Sequence, residues 1–127
     1  MLGSTEAVTV EMVRMALDAT SLRHQAIANN IANINTKGYA PARVDFEQQM
    51  SAVRQALDAG QPVTHEMLSG IQPVLQRDQV VSDEDRTSSL DTESANLAQN
   101  TVQYEALLKA LGKHFAILGS AISEGKR

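Results

Sequence analysis

Three histidines and one acidic run are the residues of this chain whose types could do chemistry. His24, His65 and His114 lie far apart in the sequence. His65 is followed by Glu66 but by no second histidine one turn later, so the two-ligand face of a helical zinc-protease motif is missing. The run from Asp83 to Asp85 lacks the alternating acids, central glycine and final glutamate of a calcium loop. We therefore expect packed or solvated side chains at these positions.

Nucleophiles and phosphate loops are also missing. The chain contains no cysteine and no Gly-x-Ser-x-Gly elbow, and Gly38 is not followed by the glycine, lysine and hydroxyl of a phosphate loop. With 11 basic and 15 acidic residues the net charge is -4, which gives no long-range attraction to nucleic acid. We expect no enzyme, no metal or other cofactor, and no nucleic-acid partner.

Neither a signal peptide nor a membrane span is predicted. Residues 1–10 contain no basic cluster followed by an apolar run, and no stretch approaches the roughly 18 apolar residues that a transmembrane helix needs. We expect no membrane insertion and no cleavable signal.

The elements that would carry these residues are two long terminal helices. Apolar residues recur three and four positions apart between Val10 and Ile34, which predicts an amphipathic helix over 10–35 that ends near Gly38 and Pro41. A second stripe predicts a helix over 90–124, with Ser89 or Asp91 as its cap. This stripe has the spacing of a heptad seam and consists of Leu90, Leu97, Tyr104, Leu108, Leu111, Phe115, Leu118 and Ile122.

The middle of the chain is predicted to be short and irregular. A turn and a short helix are expected over 36–60, with the helical spacing running from Phe46 to Leu57 and stopping at Gly60 and Pro62. Residues 61–89 are expected to be rich in loops, with a weak hairpin formed by the β-prone pieces 62–67 and 71–75. The predicted fold is a single, mainly α domain over residues 1–127, with its terminal helices paired as a coiled-coil-like core.

The first helix has a second apolar face, which one partner helix cannot cover. This face includes Met12, Met15, Ala19, Leu22 and Ala26. Such surplus apolar surface predicts contacts with other subunits.

One segment carries a family resemblance. Residues 23–39 read RHQAIANNIANINTKGY and resemble the N-terminal signature of flagellar rod, hook and hook-associated proteins. The next motif, Val44 to Glu47, is most similar to that of proximal rod proteins. The last predicted helix is also similar to the closing helix of those proteins, with Asn100 shortly before Tyr104.

The resemblance implies a structural subunit of the proximal rod of the flagellar basal body. Such subunits leave the cell through the flagellar secretion apparatus and assemble through their terminal helices into a helical tube. The tube transmits torque and surrounds the export channel. The implied location is the periplasmic rod, and the implied partners are further copies of the chain, other rod proteins, the membrane-ring adaptor and the export gate.

We expect the subunit interfaces to lie on the terminal helices and the turn after the first of them. Small residues there allow close approach of backbones, and amide side chains can form hydrogen bonds across the contact. The predicted interface residues are Ile27, Asn29, Asn30, Ile31, Asn33, Asn35, Gly38, Tyr39, Leu97, Asn100, Tyr104, Leu108, Leu111, Phe115 and Ile122.

Three alternatives remain open. The chain could be another axial rod protein, which would share the signature but occupy a different place in the shaft. It could be a soluble helical adaptor or export chaperone that binds a partner helix in a groove. Each asparagine could also fix the register of a helix pair within one chain, with no role between subunits.

Overall fold

Two long helices dominate the computed structural model, which describes residues 4–125. Helix α1 covers Ser4–Ala32 and helix α4 covers Arg86–Gly125. Ile27 lies near Asn96, whereas Ala16 lies near Leu107, so the two helices pack antiparallel. The prediction of a mainly α fold with paired terminal helices is therefore confirmed. The predicted single domain also includes residues 1–3 and 126–127, which lie outside the described part.

The short elements between these helices form a small cap against α1. They are strand β1 (Ala42–Asp45), helix α2 (Ser51–Asp58), helix α3 (His65–Ser69), strand β2 (Val74–Arg77) and a 3-10 turn (Asp83–Asp85). The two strands pair antiparallel, with Ala42 opposite Arg77 and Asp45 opposite Val74. A weakly β middle segment is thus present.

The predicted hairpin between residues 62–67 and 71–75 is wrong. Residues 65–69 form α3, and the strand at 74–77 pairs with residues 42–45 instead. The difference has a physical reason: Ala42 and Val44 are buried on one side of β1 while Arg43 points outward. This alternation gives β1 a core-facing side, which the segment at 62–67 does not have.

Two glycines take left-handed backbone conformations beyond the ends of helices. Gly38 has φ +79° in the turn after α1, and Gly60 has φ +69° just after α2. Residues with a side chain rarely adopt this region. Glycine at these two positions therefore allows the backbone to leave the helical path without steric strain.

Helix α4 begins earlier than its apolar stripe indicates. It starts at Arg86, directly after the 3-10 turn, so Ser89 and Asp91 lie inside the helix and the prediction that one of them caps it is wrong. The acidic run has a local structural role instead. Ser82 Oγ donates to Asp85 Oδ2 over 2.6 Å, and Arg86 forms an ion pair with Asp83 at 2.6 Å.

The second apolar face of α1 is partly covered by the chain's own cap. Ala26 packs with Ala42 and Val44 of β1, and Leu22 lies against this cluster. Met12 lines an apolar groove whose opposite wall comes from residues 57 and 61–65. Of the face that was predicted to need a partner, Ala19 and Ala26 are buried within the monomer, and the other three residues are half-buried.

The side of α4 that faces α1 is more polar than the predicted seam. Glu93 and Asn100 are its buried residues, while Leu97, Leu111 and Leu118 are half-buried. The other predicted seam residues lie on the flank of the helix and are exposed, because polar residues occupy part of the inward register. These exposed residues are Leu90, Tyr104, Leu108, Phe115 and Ile122.

Candidate subunit interface

Asn30 joins the end of α1 to strand β1. Its side chain is 1% exposed, and its Nδ2 donates to the Ala42 carbonyl over 2.8 Å. Its Oδ1 accepts from the Ala42 backbone N–H at 2.8 Å and from the Tyr39 hydroxyl at 2.9 Å. One amide thus forms hydrogen bonds with both the N–H and the C=O of a buried strand residue, and it also accepts a hydrogen bond from the Tyr39 hydroxyl.

Tyr39 is also held from its other side. The guanidinium carbon of Arg77 lies 5.6 Å from the centroid of the Tyr39 ring, and Arg77 donates to the Ala40 carbonyl over 2.9 Å. A guanidinium over an aromatic face is attracted by the ring quadrupole. The turn after α1 is therefore held by α1 through Asn30 and by β2 through Arg77.

Arg23 makes a second connection between α1 and the cap. It donates to the Val44 carbonyl over 2.9 Å and to Glu47 Oε1 over 2.6 Å, and its guanidinium lies 5.7 Å from the ring centroid of Phe46. Partial burial of Glu47 acts to raise the pKa of its carboxyl. The hydrogen bonds from Arg23 and from backbone N–H groups outweigh this effect and hold that pKa below its usual value.

Asn100 connects the two long helices. It is 2% exposed, and its Nδ2 donates to the Thr20 carbonyl over 2.8 Å. That carbonyl is a helix backbone acceptor, and the Thr20 hydroxyl turns back to the Ala16 and Leu17 carbonyls at 2.9 Å. A buried amide at a helix contact favours one register, because any shift would leave its Nδ2 donor without an acceptor.

The sequence is similar to known proteins of the flagellar rod. The family model described as "Flagella basal body rod protein" matches residues 14–39, which span most of α1 and the turn held by Tyr39. The chain is 26% identical over 123 residues to the flagellar basal body rod protein FlgB of Bacillus subtilis (strain 168), covering 93% of this chain and 95% of that protein. It is 27% identical over 123 residues to the FlgB of Yersinia enterocolitica, covering 87% and 90%.

The chain is similar to flagellar basal-body rod proteins. It is FlgB-like, since both of these relatives match along most of their length. The rod protein is a structural component of the flagellum and not an enzyme, and its place is the basal body. Within the described residues, no helix is long and apolar enough to cross a membrane.

The predicted interface residues of this rod protein fall into three groups by exposure. Three are buried between elements of the same chain: Ile27, Asn30 and Asn100. Five are half-buried: Ile31, Asn33, Tyr39, Leu97 and Leu111. Seven are exposed: Asn29, Asn35, Gly38, Tyr104, Leu108, Phe115 and Ile122.

The exposed apolar members form a stripe along one flank of α4. Tyr104, Leu108, Phe115 and Ile122, which we call the α4 flank stripe, are 37%, 45%, 45% and 55% exposed. Their spacing of four and seven residues places them on one side of the helix. Val102 is 66% exposed but lies on another face of the same helix.

Several residues that build the site were not singled out from the sequence. The cap is held together by Arg23, Glu47 and Arg77, and the Thr20 carbonyl accepts a hydrogen bond from Asn100. Arg23 does lie within the signature segment. A charged residue beside an apolar stripe could have indicated its contact with the cap. Nothing in the local sequence of Arg77 indicates that it reaches the ring of Tyr39.

A surface ion pair ties the cap to the first half of α1. His65 Nδ1 lies 2.8 Å from Glu11 Oε2. The hydrogen bond and the charge of Glu11 raise the pKa of His65 above its usual value. The contact is solvent-exposed, so it orients α3 rather than contributing much stability.

Proposed function

We propose that the α4 flank stripe and the exposed parts of the α1 signature contact neighbouring subunits in the rod. Assembly into a helical tube requires head-to-tail contacts between different surfaces of neighbouring copies. The proposed tube transmits torque and surrounds the export channel. The observation that carries the proposal is the row of four large apolar side chains left exposed by the antiparallel helix pair.

The size of these side chains supports an intermolecular role. Isolated exposed apolar residues are ordinary in a soluble protein. Several large apolar side chains that are aligned on one face of a helix mark a contact surface. Aromatic residues such as Tyr104 and Phe115 are enriched at the buried centres of protein interfaces. Asn29 and Asn35 are exposed amides near the other end of the same helix pair, where they can form hydrogen bonds with a neighbour.

The proposed partners are further copies of this chain, other rod proteins, the membrane-ring adaptor and the export gate. We also propose export through the flagellar secretion apparatus without a cleavable signal peptide, which would place the subunit in the periplasmic part of the basal body. The similarity to rod proteins supports these proposals at the level of the family.

Substitutions in the α4 flank stripe test the interface. We expect a strain that carries Leu108→Ser and Phe115→Ser as its only copy to lose swimming motility and to lack this chain in purified basal bodies. Val102→Ser is the control, since it removes an apolar side chain that is even more exposed, at 66%, from another face of α4. The control should swim normally.

Two outcomes would overturn the interface proposal. Normal motility of the double variant would show that the stripe is not needed for assembly. Equal loss of motility in Val102→Ser would show that the effect is not specific to this flank. Circular dichroism of both purified variants must match the wild type, so that a folding defect is not mistaken for an assembly defect.

A further inference from the structure

The two strands of the cap differ in how their outer edges are covered. On the side of β1 that faces away from β2, Asn30 forms hydrogen bonds with both the N–H and the C=O of Ala42. On the same side, Arg23 donates to the Val44 carbonyl. The outer edge of β1 is therefore covered by side chains of α1.

The outer edge of β2, on the side away from β1, is open. The Asp78 N–H donates to the Pro41 carbonyl, which fixes the alternation of hydrogen bonds between the strands. Every second residue of an antiparallel pair directs its N–H and C=O away from the partner strand, so those of Leu75 and Arg77 point outward. Among the described residues, β1 is the only helix or strand in contact with β2, and these outward backbone groups have no hydrogen-bond partner.

Exposed apolar side chains border the open edge. Leu75 is 51% exposed and lies opposite Val44, so it projects from the side of the sheet that packs on α1. Val74 is 42% exposed and projects from the other side. Natural sheets protect an unused edge with lysine, proline, a bulge or a covering element. β2 is short and follows Pro73, but it has no lysine, pairs without a bulge and is exposed along its whole length.

We propose that a neighbouring rod subunit adds an extended segment to β2 and so forms a third strand of the sheet. The kind of partner follows from the edge itself. N–H and C=O groups that repeat at every second residue are matched by another extended backbone. Leu75 and Arg77 together offer two donors and two acceptors to it. An apolar side chain on the added strand covers the exposed part of Leu75.

The size of the edge identifies the source of the added strand. β2 has 4 residues and is therefore only about 13 Å long, whereas a stable complex buries roughly 1,200–2,000 Å². So short an edge cannot hold a partner from solution, but it can pair with one that other contacts keep beside it. The α4 flank stripe supplies such contacts in the proposed function. The neighbour as the source rests on that function, whereas the open edge rests on the structure alone.

Hydrogen exchange of the purified full chain tests whether the edge is open. By NMR, the N–H groups of Leu75 and Arg77 should exchange at least about tenfold faster than that of Gln76, which faces the Arg43 carbonyl. Equal protection of the three amides in the monomer would overturn the proposal, because the edge would already be paired. Protection that appears when the purified chain is concentrated would identify a free second copy as the partner and would overturn the neighbour as the source.

Hydrogen exchange of the wild-type chain in purified basal bodies tests the added strand. Mass spectrometry of a peptic peptide over residues 73–78 should show two further protected amides there, those of Leu75 and Arg77. Unchanged protection in basal bodies that contain the chain would overturn the added strand and leave the proposed function intact. Absence of the chain from basal bodies would instead refute the proposed function, and with it the neighbour as the source.

A proline at the edge tests whether assembly needs the pairing. Leu75→Pro removes an outward N–H and keeps the pairing with β1, because proline is tolerated where its nitrogen faces solvent. Leu75→Val is the matched control, since valine has as many side-chain carbons as proline and keeps the N–H. Both should unfold within about 0.5 M urea of the wild type.

Basal bodies from a Leu75→Pro strain should contain at least about twofold less of the chain than those from a Leu75→Val strain, because a hydrogen bond between subunits is lost. Equal amounts would overturn the proposal. If Leu75→Pro unfolds at much lower urea than the control, the exchange measurement on wild-type basal bodies decides alone.

Discussion

Replacement of Asn30 by alanine should destabilise the monomer more than any change at the other asparagines of the signature. Its side chain completes the backbone N–H and C=O of Ala42, which is 5% exposed, and also accepts from Tyr39. Each buried backbone group left without a partner costs about 1–3 kcal/mol. We therefore expect Asn30→Ala to lower the free energy of unfolding by about 3 kcal/mol.

Urea unfolding followed by far-ultraviolet circular dichroism measures this loss. With a slope of about 2 kcal/mol per molar urea, the midpoint should fall by roughly 1.5 M. Tyr39→Phe removes only the half-buried hydroxyl, so it should cost about 1 kcal/mol. Asn29→Ala is the matched control, since Asn29 is exposed and adjacent in sequence, and it should change the free energy by less than about 0.5 kcal/mol.

The reasoning would be refuted by either of two results. Asn30→Ala could unfold within about 0.5 kcal/mol of the wild type, which would mean that water replaces the amide without loss. Alternatively, Asn29→Ala could cost as much as Asn30→Ala, which would mean that the signature stabilises α1 as a whole rather than through one buried side chain.

Three further predictions concern the cap and its connections. By NMR titration, the pKa of His65 should lie above 6.5, and it should fall in Glu11→Gln. The ion pair contributes a small stabilisation that is fully present below pH 6.5. This stabilisation is lost as the pH rises through the raised pKa of His65 in the folded state. Gly38→Ala should cost about 1–2 kcal/mol in urea unfolding, because φ +79° is strained for alanine although no atom crowds the site. Leu68→Ala should cost about 2–5 kcal/mol, because Leu68 is 1% exposed and its removal leaves a cavity, whereas Leu57→Ala at 55% exposure should cost under about 1 kcal/mol.

Each of these predictions has a result that would contradict it. An unchanged pKa of His65 in Glu11→Gln would show that Glu11 does not hold the imidazole in solution. Wild-type stability of Gly38→Ala would show that the turn after α1 can adopt another conformation. Equal losses in Leu68→Ala and Leu57→Ala would place α3 outside the cooperative core.

The terminal helices could be predicted from the sequence because their apolar spacing extends over many turns. The pairing of β1 with β2 could not, since strands of four residues carry almost no periodic signal and their partners are about 30 residues apart. Phe46 illustrates the difficulty. Its spacing from Met50 and Val53 fits a helix, yet it follows β1 directly and is buried beneath the guanidinium of Arg23.

The inward side of α4 was predicted only in part, for a related reason. A search for apolar residues selects Tyr104, Leu108 and Phe115, but the buried register includes Glu93 and Asn100. Polar residues at a helix contact depend on partners that the local sequence does not reveal, here the Thr20 carbonyl. The same limit applies to the asparagines of α1, which look alike in sequence although Asn30 alone among Asn29, Asn30 and Asn33 is buried.

Mass spectrometry of washed, detergent-extracted basal bodies from the host tests the central claim most directly. If the chain is a structural rod subunit, it should be present in a fixed ratio to the other rod proteins and should remain after the washes. Its absence from the particles, together with recovery as a soluble complex of defined size, would contradict the rod assignment and favour a helical adaptor or export chaperone.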